Sequence, residues 1–589
     1  MVRWPACIMA LTLVPAAALA VEINPVQLPN TPVKEAAPKA LRLAETRDLP
    51  PLATLKTAAA GAGDQLDAIA AWNRSGNLPA RNGFSRPLPA PKAVQFTADL
   101  LKRQPDKLAG GALLVPPAGG VVWGTEVRVA DAHRLRLHLA NVHLPAGTRM
   151  WVYDGDGKEE VAFEPGAVLS GDELWTPSVA GPAIRFEVRL PEGAIEGQGF
   201  TIDKVLELFQ LNPDGSPVLG AAQTKEDFTC AQDAACYGAT ALSVMDLFKH
   251  ADAYLEFVDA GVAYSCSGSL LNDTDDSTTI PYLLTAHHCF STQTAASTLE
   301  AFFDFISTSC NGTAPDPGSL PRTSGSTLLA TGAATDFTFV RLPSLPPGRG
   351  LLGVSSAAVA DGTTLYRLSH PLGISMGYSV TTLTTTSPTC SGASRPNFLY
   401  SIRSLGGIFE GSSGSPDIRS DGKVMGQLTG SCGPTAQADE GCDAANSMVD
   451  GAMSGTFASI AQWLTPSTTT NPGPCVPGNN TLCLGAGGRF KVEAAFDTGS
   501  QQGPAQVVKL TDETGYLWFF DASNVEMVVK VLDACAYNQR FWIFAGGLTN
   551  VQVALTITDT VKGVVKTYSN PQGTAFQPIQ DTGAFATCN

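Results

Sequence analysis

Gly411-Ser412-Ser413-Gly414-Ser415-Pro416 is a serine turn flanked by glycines and closed by proline. It offers what a nucleophile requires, an exposed hydroxyl with bare backbone N–H groups beside it. A serine hydroxyl is weak until a base takes its proton, so the reading moves upstream. Thr285-Ala286-His287-His288-Cys289 brings an imidazole, and Thr335-Asp336-Phe337-Thr338-Phe339-Val340 a carboxylate at the head of an apolar run. Base, orienter and nucleophile then follow in the order His, Asp, Ser, one of the chain orders known for such a triad.

His288 is the candidate base, Asp336 the group that fixes its tautomer, and Ser413 the nucleophile, with the N–H groups of Gly411 and Ser413 as the oxyanion hole. Strand alternation turns His287 elsewhere. Taken singly these residues have blander readings: His288 as a surface histidine beside a disulfide, Asp336 as a strand-end cap, Ser413 as one of many Gly/Ser positions. Their joint spacing favours the chemical reading. An α/β-hydrolase would need Gly-x-Ser-x-Gly and a later histidine, but Ser415 stands at the last glycine position and no histidine follows His370. There is no His-Glu-x-x-His and there are only 7 histidines, so no metal site and no cofactor are expected.

The 589 residues exceed one ordinary domain, and three or four are expected. At 44% hydrophobic and 16% charged, with 58 Gly and 41 Pro, the composition suits β-rich domains with many turns. A formal charge of −16 makes nucleic acid a poor partner. Met1 to Ala20 reads as a secretory signal: Arg3, an apolar run, then Ala18-Leu19-Ala20. The run is short and broken by Pro5 and Pro15, which disfavours an anchor, and no membrane contact is expected once it is removed. Of the 13 cysteines, Cys7 lies in this segment, which leaves an even dozen for pairing in an oxidising compartment. Eight run from Cys230 to Cys442 and four are Cys475, Cys483, Cys535 and Cys588. The product should be extracellular, or periplasmic in transit.

In chain order, 21–115 reads as a leader or pro-segment with one helix near Asp64 to Trp72. Residues 116–212 alternate as strands, for example Glu126-Val127-Arg128-Val129 and Met150-Trp151-Val152-Tyr153, and predict a β-sandwich. Asp154-Gly155-Asp156-Gly157 lacks the downstream glutamate of a calcium loop and reads as a turn. A linker at 213–227, a central domain at 228–466, a second linker at 467–474 and a C-terminal β-sandwich at 475–589 complete an all-β chain. For the last four cysteines, Cys475–Cys483 and Cys535–Cys588 are preferred to crossed bridges.

Cys266-Ser267-Gly268-Ser269-Leu270, Leu284 to Cys289, Thr335 to Leu342, Gly411 to Pro416 and Gly426-Gln427-Leu428 together resemble the trypsin-fold serine peptidases, in particular the bacterial lysyl endopeptidase group. The resemblance spans about Cys230 to Leu464. It implies a double six-stranded β-barrel with the triad between barrels, an acyl-enzyme route on protein or peptide substrates, and an upstream pro-region. It also implies bridges Cys230–Cys432, Cys236–Cys310 and Cys266–Cys289, leaving Cys390–Cys442 as the fourth, and a substrate pocket lined by Thr429, Gly430 and Met448. A monomer is expected.

Two departures stand out. Trypsin-like zymogens carry Asp before the nucleophile, and here that residue is Ser412, so activation would rest on displacing 21 to about 225. Lysine preference in the group depends on an Asp three residues before a late glycine. Counting back from Gly451 gives Met448, and Asp450, Asp443 or Glu410 remain as candidates to receive a basic side chain. With Met448 in the pocket, a neutral or apolar side chain is preferred, because a buried lysine without a partner is costly. The competing reading is an inactive homologue serving as a secreted binding or adhesion protein.

Overall fold

The structure, a computed structural model, describes residues 20–30, 39–47, 50–103, 105–116, 119–193, 195–212, 215–218, 230–275, 279–435, 442–443, 445–465 and 475–588. Apart from Ala20, the expected signal segment lies outside them, as do the linker at 467–474 and most of that at 213–227. The fold is all-β, in two compact units that divide between Leu464 and Thr465.

Two barrels form the centre of the first unit. In one, Asp252–Asp259 and Val262–Leu271 make a hairpin, continued by Tyr282–Ala286 and then Phe337–Arg341. On the other side Asp252–Asp259 pairs with Glu300–Phe303, and that with Arg322–Ser324. The chain bends at Gly325-Ser326 and returns as Thr327–Gly332 against Phe337–Arg341, so that six strands, one of them bent, close the barrel. Ala253, Leu255 and Phe257 fill its interior, while the alternate residues Tyr254 and Glu256 are buried on the outer face. The other barrel closes as a ring of Thr364–Ser369, Gly377–Leu383, Phe398–Leu405, Ser447–Ala452, Lys423–Cys432 and Pro416–Ile418. The helix Met453–Leu464 buries Met453, Thr456, Phe457, Ile460 and Leu464 in one stripe.

The upstream residues form a two-sheet sandwich around Trp123, Phe186 and Phe200, whose rings meet edge to face. One sheet runs Glu160–Phe163, Arg149–Asp154, Ala183–Leu190, Val121–Val129, Gly111–Leu114. The other runs Glu173–Trp175, Arg134–His143, Gln198–Leu208, Ala80–Phe96. The sandwich therefore draws on strands well before residue 116. Ala80–Phe96 escapes a pattern reading because Pro87, Pro89 and Pro91 interrupt it, and its ladder with Gln198–Leu208 is irregular near Ile202. Its first residues pair on their other edge with Val262–Leu271, so one sheet runs from the sandwich into the first barrel.

Cys236–Cys310 and Cys266–Cys289 are bridged as the resemblance implied. The other pairing is corrected: the bridges are Cys230–Cys442 and Cys390–Cys432, not Cys230–Cys432 and Cys390–Cys442. The reason is local. Cys432 packs with Phe398, Tyr400 and Val449, and the Tyr400 hydroxyl takes the Cys390 N–H at 3.0 Å, which holds the two cysteines 5.9 Å apart at Cα.

The second unit, by itself, is a sandwich of two five-stranded sheets around Phe490, Phe541 and Phe585. Cys475–Cys483 and Cys535–Cys588 staple it.

Candidate active site

The ladder between Tyr282–Ala286 and Phe337–Arg341 ends at the pair Ala286↔Phe337. One step beyond, His287 N–H donates to the Asp336 carbonyl at 2.9 Å, which sets the turn after one strand beside the turn before the other. Asp336 occupies left-handed backbone space at φ 52°, a conformation Asp tolerates better than most residues. Its carboxylate accepts from the His288 backbone N–H at 2.9 Å and is paired with His288 Nδ1 at 2.7 Å. Burial works to raise this carboxyl, but the facing His288, by charge and by these bonds, outweighs it and holds Asp336 below the usual carboxylate range. His287 turns its ring to Thr331 Oγ1 at 2.8 Å.

Ser413 sits on the turn opposite, 2% exposed, with its carbonyl taking the Ser267 N–H at 2.8 Å and lying 3.8 Å from Cys289 Sγ. The flanking glycines are sterically required. Gly411 has φ +91° and Gly414 φ +80°, and a Cβ on Gly414 would fall 2.1 Å from Thr285 Oγ1. The Glu410 carbonyl accepts from the Leu372 N–H at 2.5 Å, so the next N–H, that of Gly411, points the opposite way across a planar trans peptide. Ser412 is buried, and its hydroxyl takes bonds from Ser369 Oγ at 3.1 Å and the Phe409 N–H at 3.3 Å.

The structure thus brings Asp336 and His288 into contact and sets Ser413 against the Cys266–Cys289 bridge, but it does not close a Ser413–His288 hydrogen bond. His288 Nε2 is buried without a hydrogen-bond partner. Catalytic hydrogen bonds often tighten only with substrate in place.

Beside Ser413 lies a cavity of about 320 Å³, with Thr429 and Gly430 in its wall and the Cys390–Cys432 bridge along one side. Ile408 and Leu428 line it, and Met448 packs behind them as one apolar cluster. Of the three carboxylates considered for a basic substrate, Asp450 is engaged elsewhere. It pairs with Arg367 at 2.6 Å, and both side chains are fully buried. Asp443 holds Thr435 Oγ1 and the Ala445 N–H. Glu410 lines the cavity, partly exposed.

Several positioning residues have no sequence signature. Ser267 Oγ donates to the Gly411 carbonyl and accepts from the His370 N–H, each at 2.9 Å, bracing the nucleophile turn. Gln427 Nε2 donates to the Thr335 and Asp336 carbonyls at 2.6 and 3.2 Å. Arg367 donates to the Ser415 carbonyl and hydroxyl. Ser267 and Gln427 lie in segments that carry the family resemblance, yet nothing in those segments says what the two side chains hold.

Residues 224–444 match the family model described as the lysyl endopeptidase C-terminal domain. A lysyl endopeptidase of Pseudomonas aeruginosa is 26% identical over 243 residues, covering 40% of this chain and 49% of that protein. The secreted RxLR effector protein 73 of Plasmopara viticola is 28% identical over 253 residues, covering 40% of this chain and 58% of that one. The match thus spans only about half the length of these curated relatives. Among solved structures, the active form of the Rv3671c protease from M. tuberculosis aligns with a TM-score of 0.26 and 15% identity, over 38% of this chain and 87% of that one. The central domain is similar to the lysyl endopeptidase C-terminal domain, and its two six-stranded barrels are the double barrel that the resemblance implied.

Proposed function

We propose that this chain, its central domain similar to that of the lysyl endopeptidases, is a secreted serine endopeptidase made with an N-terminal pro-region. The observation that carries the reading is the doubly bonded Asp336–His288 pair beside a nucleophile turn that opens onto a cavity. An ionised carboxylate can only accept, so His288 Nδ1 carries its proton and Nε2 is left basic. In the reaction, Nε2 takes the proton of Ser413 Oγ as Oγ bonds to the carbonyl carbon of the substrate peptide. The oxyanion is held by the N–H groups of Gly411 and Ser413, and Asp336 stabilises the imidazolium. Collapse breaks the C–N bond, and Nε2 hands its proton to the leaving amine. Water then adds to the acyl-Ser413 ester by the same route and releases the acid.

Secretion is supported by six bridges. Among the described residues no helix is long and apolar enough to cross a membrane. The hydroxyl of Ser412 is already engaged by Ser369, which supports activation by removal of upstream residues and not by an Asp–N-terminus ion pair.

The test is labelling of the processed protein by a serine-directed phosphonate, with Ser413→Ala as control. Modification at Ser413, and a loss in kcat of about 10⁶ in the variant without a change in Tm, are expected. Unlabelled, inactive protein would instead favour the inactive homologue, for which the unpartnered His288 Nε2 is the supporting observation.

A further inference from the structure

The wall of the cavity beside Ser413 is not made by the central domain alone. Gly76 and Leu78, from the turn between the helix Gly63–Arg74 and the strand Ala80–Phe96, line it as well. Leu78 Cδ1 lies 3.5 Å from where a Cβ on Gly430 would stand. Two residues on, Ala80 pairs with Ser265 and Arg81 with Tyr264, on the strand that carries Cys266. Cys266 is bridged to Cys289, the neighbour of His288.

Leu78 thus borders the cavity that Ser413 also lines, and Ala80 pairs on the strand that carries Cys266, with at most about 7 Å of chain between their Cα atoms. The peptide joining Leu78 to Pro79, which is cis, runs between that cavity and that strand, close to the Ser413 turn. Peptide substrates must also cross such a site, one side chain in the pocket and the next residues hydrogen-bonded along a strand edge.

The crossing segment is tightly held. Trp72 Nε1 donates to the Pro79 carbonyl at 3.0 Å. Asn73 clamps Arg81 from both sides, its Nδ2 donating to the carbonyl at 2.9 Å and its Oδ1 accepting from the N–H at 2.8 Å. The Arg81 guanidinium stacks 3.6 Å over Trp72. Beneath, Leu66, Ile69 and Ala80 share an apolar cluster with Leu372, and Phe409 packs against it, so the same helix braces the residues next to Gly411. Fixing a loop in its bound shape removes most of the ordering cost of binding.

We propose that Gly76 to Arg81 lies in the cleft as a tethered substrate analogue, with Leu78 set against the specificity pocket, and that this pocket takes aliphatic side chains of leucine size on the acyl side of the scissile bond. The inference rests on the peptidase reading above and goes further by naming what is cut. Three observations agree on the side chain. The side chain that the upstream segment sets against the cavity is leucine, and the cluster of Ile408, Leu428 and Met448 is apolar and at most 3% exposed. Asp450 is consumed by Arg367. The carboxylate in the lining, Glu410, is partly exposed and does not belong to that apolar cluster. A lysine pushed to that inner cluster would lose its hydration without gaining a partner.

Proline explains why the analogue survives. Acyl transfer at Leu78 would require His288 to protonate the Pro79 nitrogen, which carries a ring carbon where a substrate has N–H.

Two experiments test this. The processed enzyme is assayed on peptide anilides that differ only in the acyl-side residue. Leucine or methionine is expected to exceed lysine and arginine in kcat/KM by at least about tenfold. In the full chain, Pro79→Ala is expected to turn the analogue into a substrate, giving a new N-terminus at position 79 by mass spectrometry, absent when Ser413→Ala is added. Preference for lysine or arginine, or an uncut and active Pro79→Ala chain, would overturn the proposal and leave the peptidase reading standing. Absence of both phosphonate labelling and hydrolysis would remove that reading, and this inference with it.

Discussion

Asp336 and His288 are joined twice, through the His288 backbone N–H on Oδ1 at 2.9 Å and through its Nδ1 on Oδ2 at 2.7 Å. The backbone bond fixes where the ring starts and the side-chain bond fixes how it is turned, so one carboxylate sets both position and tautomer. Gln427 in turn holds the carbonyls of Thr335 and Asp336.

Asp336→Asn keeps the shape and removes the charge. An amide that donates to Nδ1 would leave the proton on Nε2, the wrong nitrogen for a base. A fall in kcat of about 10⁴ with little change in KM is expected on a peptide substrate. An undiminished kcat would show that Asp336 orients nothing.

The same pair sets a pH dependence. Despite burial, Asp336 is held below the ordinary carboxylate range by His288, so its folded pKa lies under its unfolded value. Such a group contributes its stability in full above the unfolded pKa of about 3.9, and loses it as pH falls through the lower folded value. The Tm gap between wild type and Asp336→Asn should be constant near neutrality and close in strong acid. Melting curves from pH 7 to pH 2 check this, and a gap indifferent to pH contradicts it.

Arg367 holds Asp450 at 2.6 Å and Asp417 at 3.3 Å, all three side chains fully buried. Burial pushes the Asp417 carboxyl far up, with Asp450 alongside adding to it and Arg367 opposing. Arg367→Met would strand two carboxylates and cost about 3–5 kcal/mol. Urea titration should find a lower midpoint, partly restored by adding Asp417→Asn and Asp450→Asn. A midpoint unchanged by Arg367→Met alone would mean the cluster contributes nothing.

Gly414→Ala tests the nucleophile turn. Its Cβ would meet Thr285 Oγ1 at 2.1 Å and the Ser267 carbonyl at 2.6 Å, at a φ that L-residues avoid. Loss of phosphonate labelling is expected, with a Tm lowered by several degrees. Adding Thr285→Ala should relieve part of the clash. Full labelling in Gly414→Ala would mean that the turn yields to a side chain at this position.

The sequence was most legible where one short segment carries its own chemistry. The glycine-flanked Ser413, His288 beside Cys289 and Asp336 before an apolar run each announce a residue type in a fitting order. What joins them was invisible, because Ala286↔Phe337 and the Ser267 and Gln427 clamps depend on strands distant in sequence. Asp450 looked available to a substrate lysine until its partner Arg367, 83 residues away, came into view. The bridges failed at the same level: Cys390 and Cys432 are brought together by packing around Tyr400, which no spacing of cysteines shows. Ala80–Phe96 was missed for a local reason, three prolines inside a strand.

That strand has one more consequence. Ala80–Phe96 is zipped on one edge to Gln198–Leu208 and on the other, at Ala80 to Phe84, to Val262–Leu271. Scission of the polypeptide between sandwich and barrel would by itself liberate neither, since the severed piece remains laced in by main-chain bonds. Its departure waits on the parting of a ladder, so the lag between cutting and opening is a clock whose rate the backbone keeps.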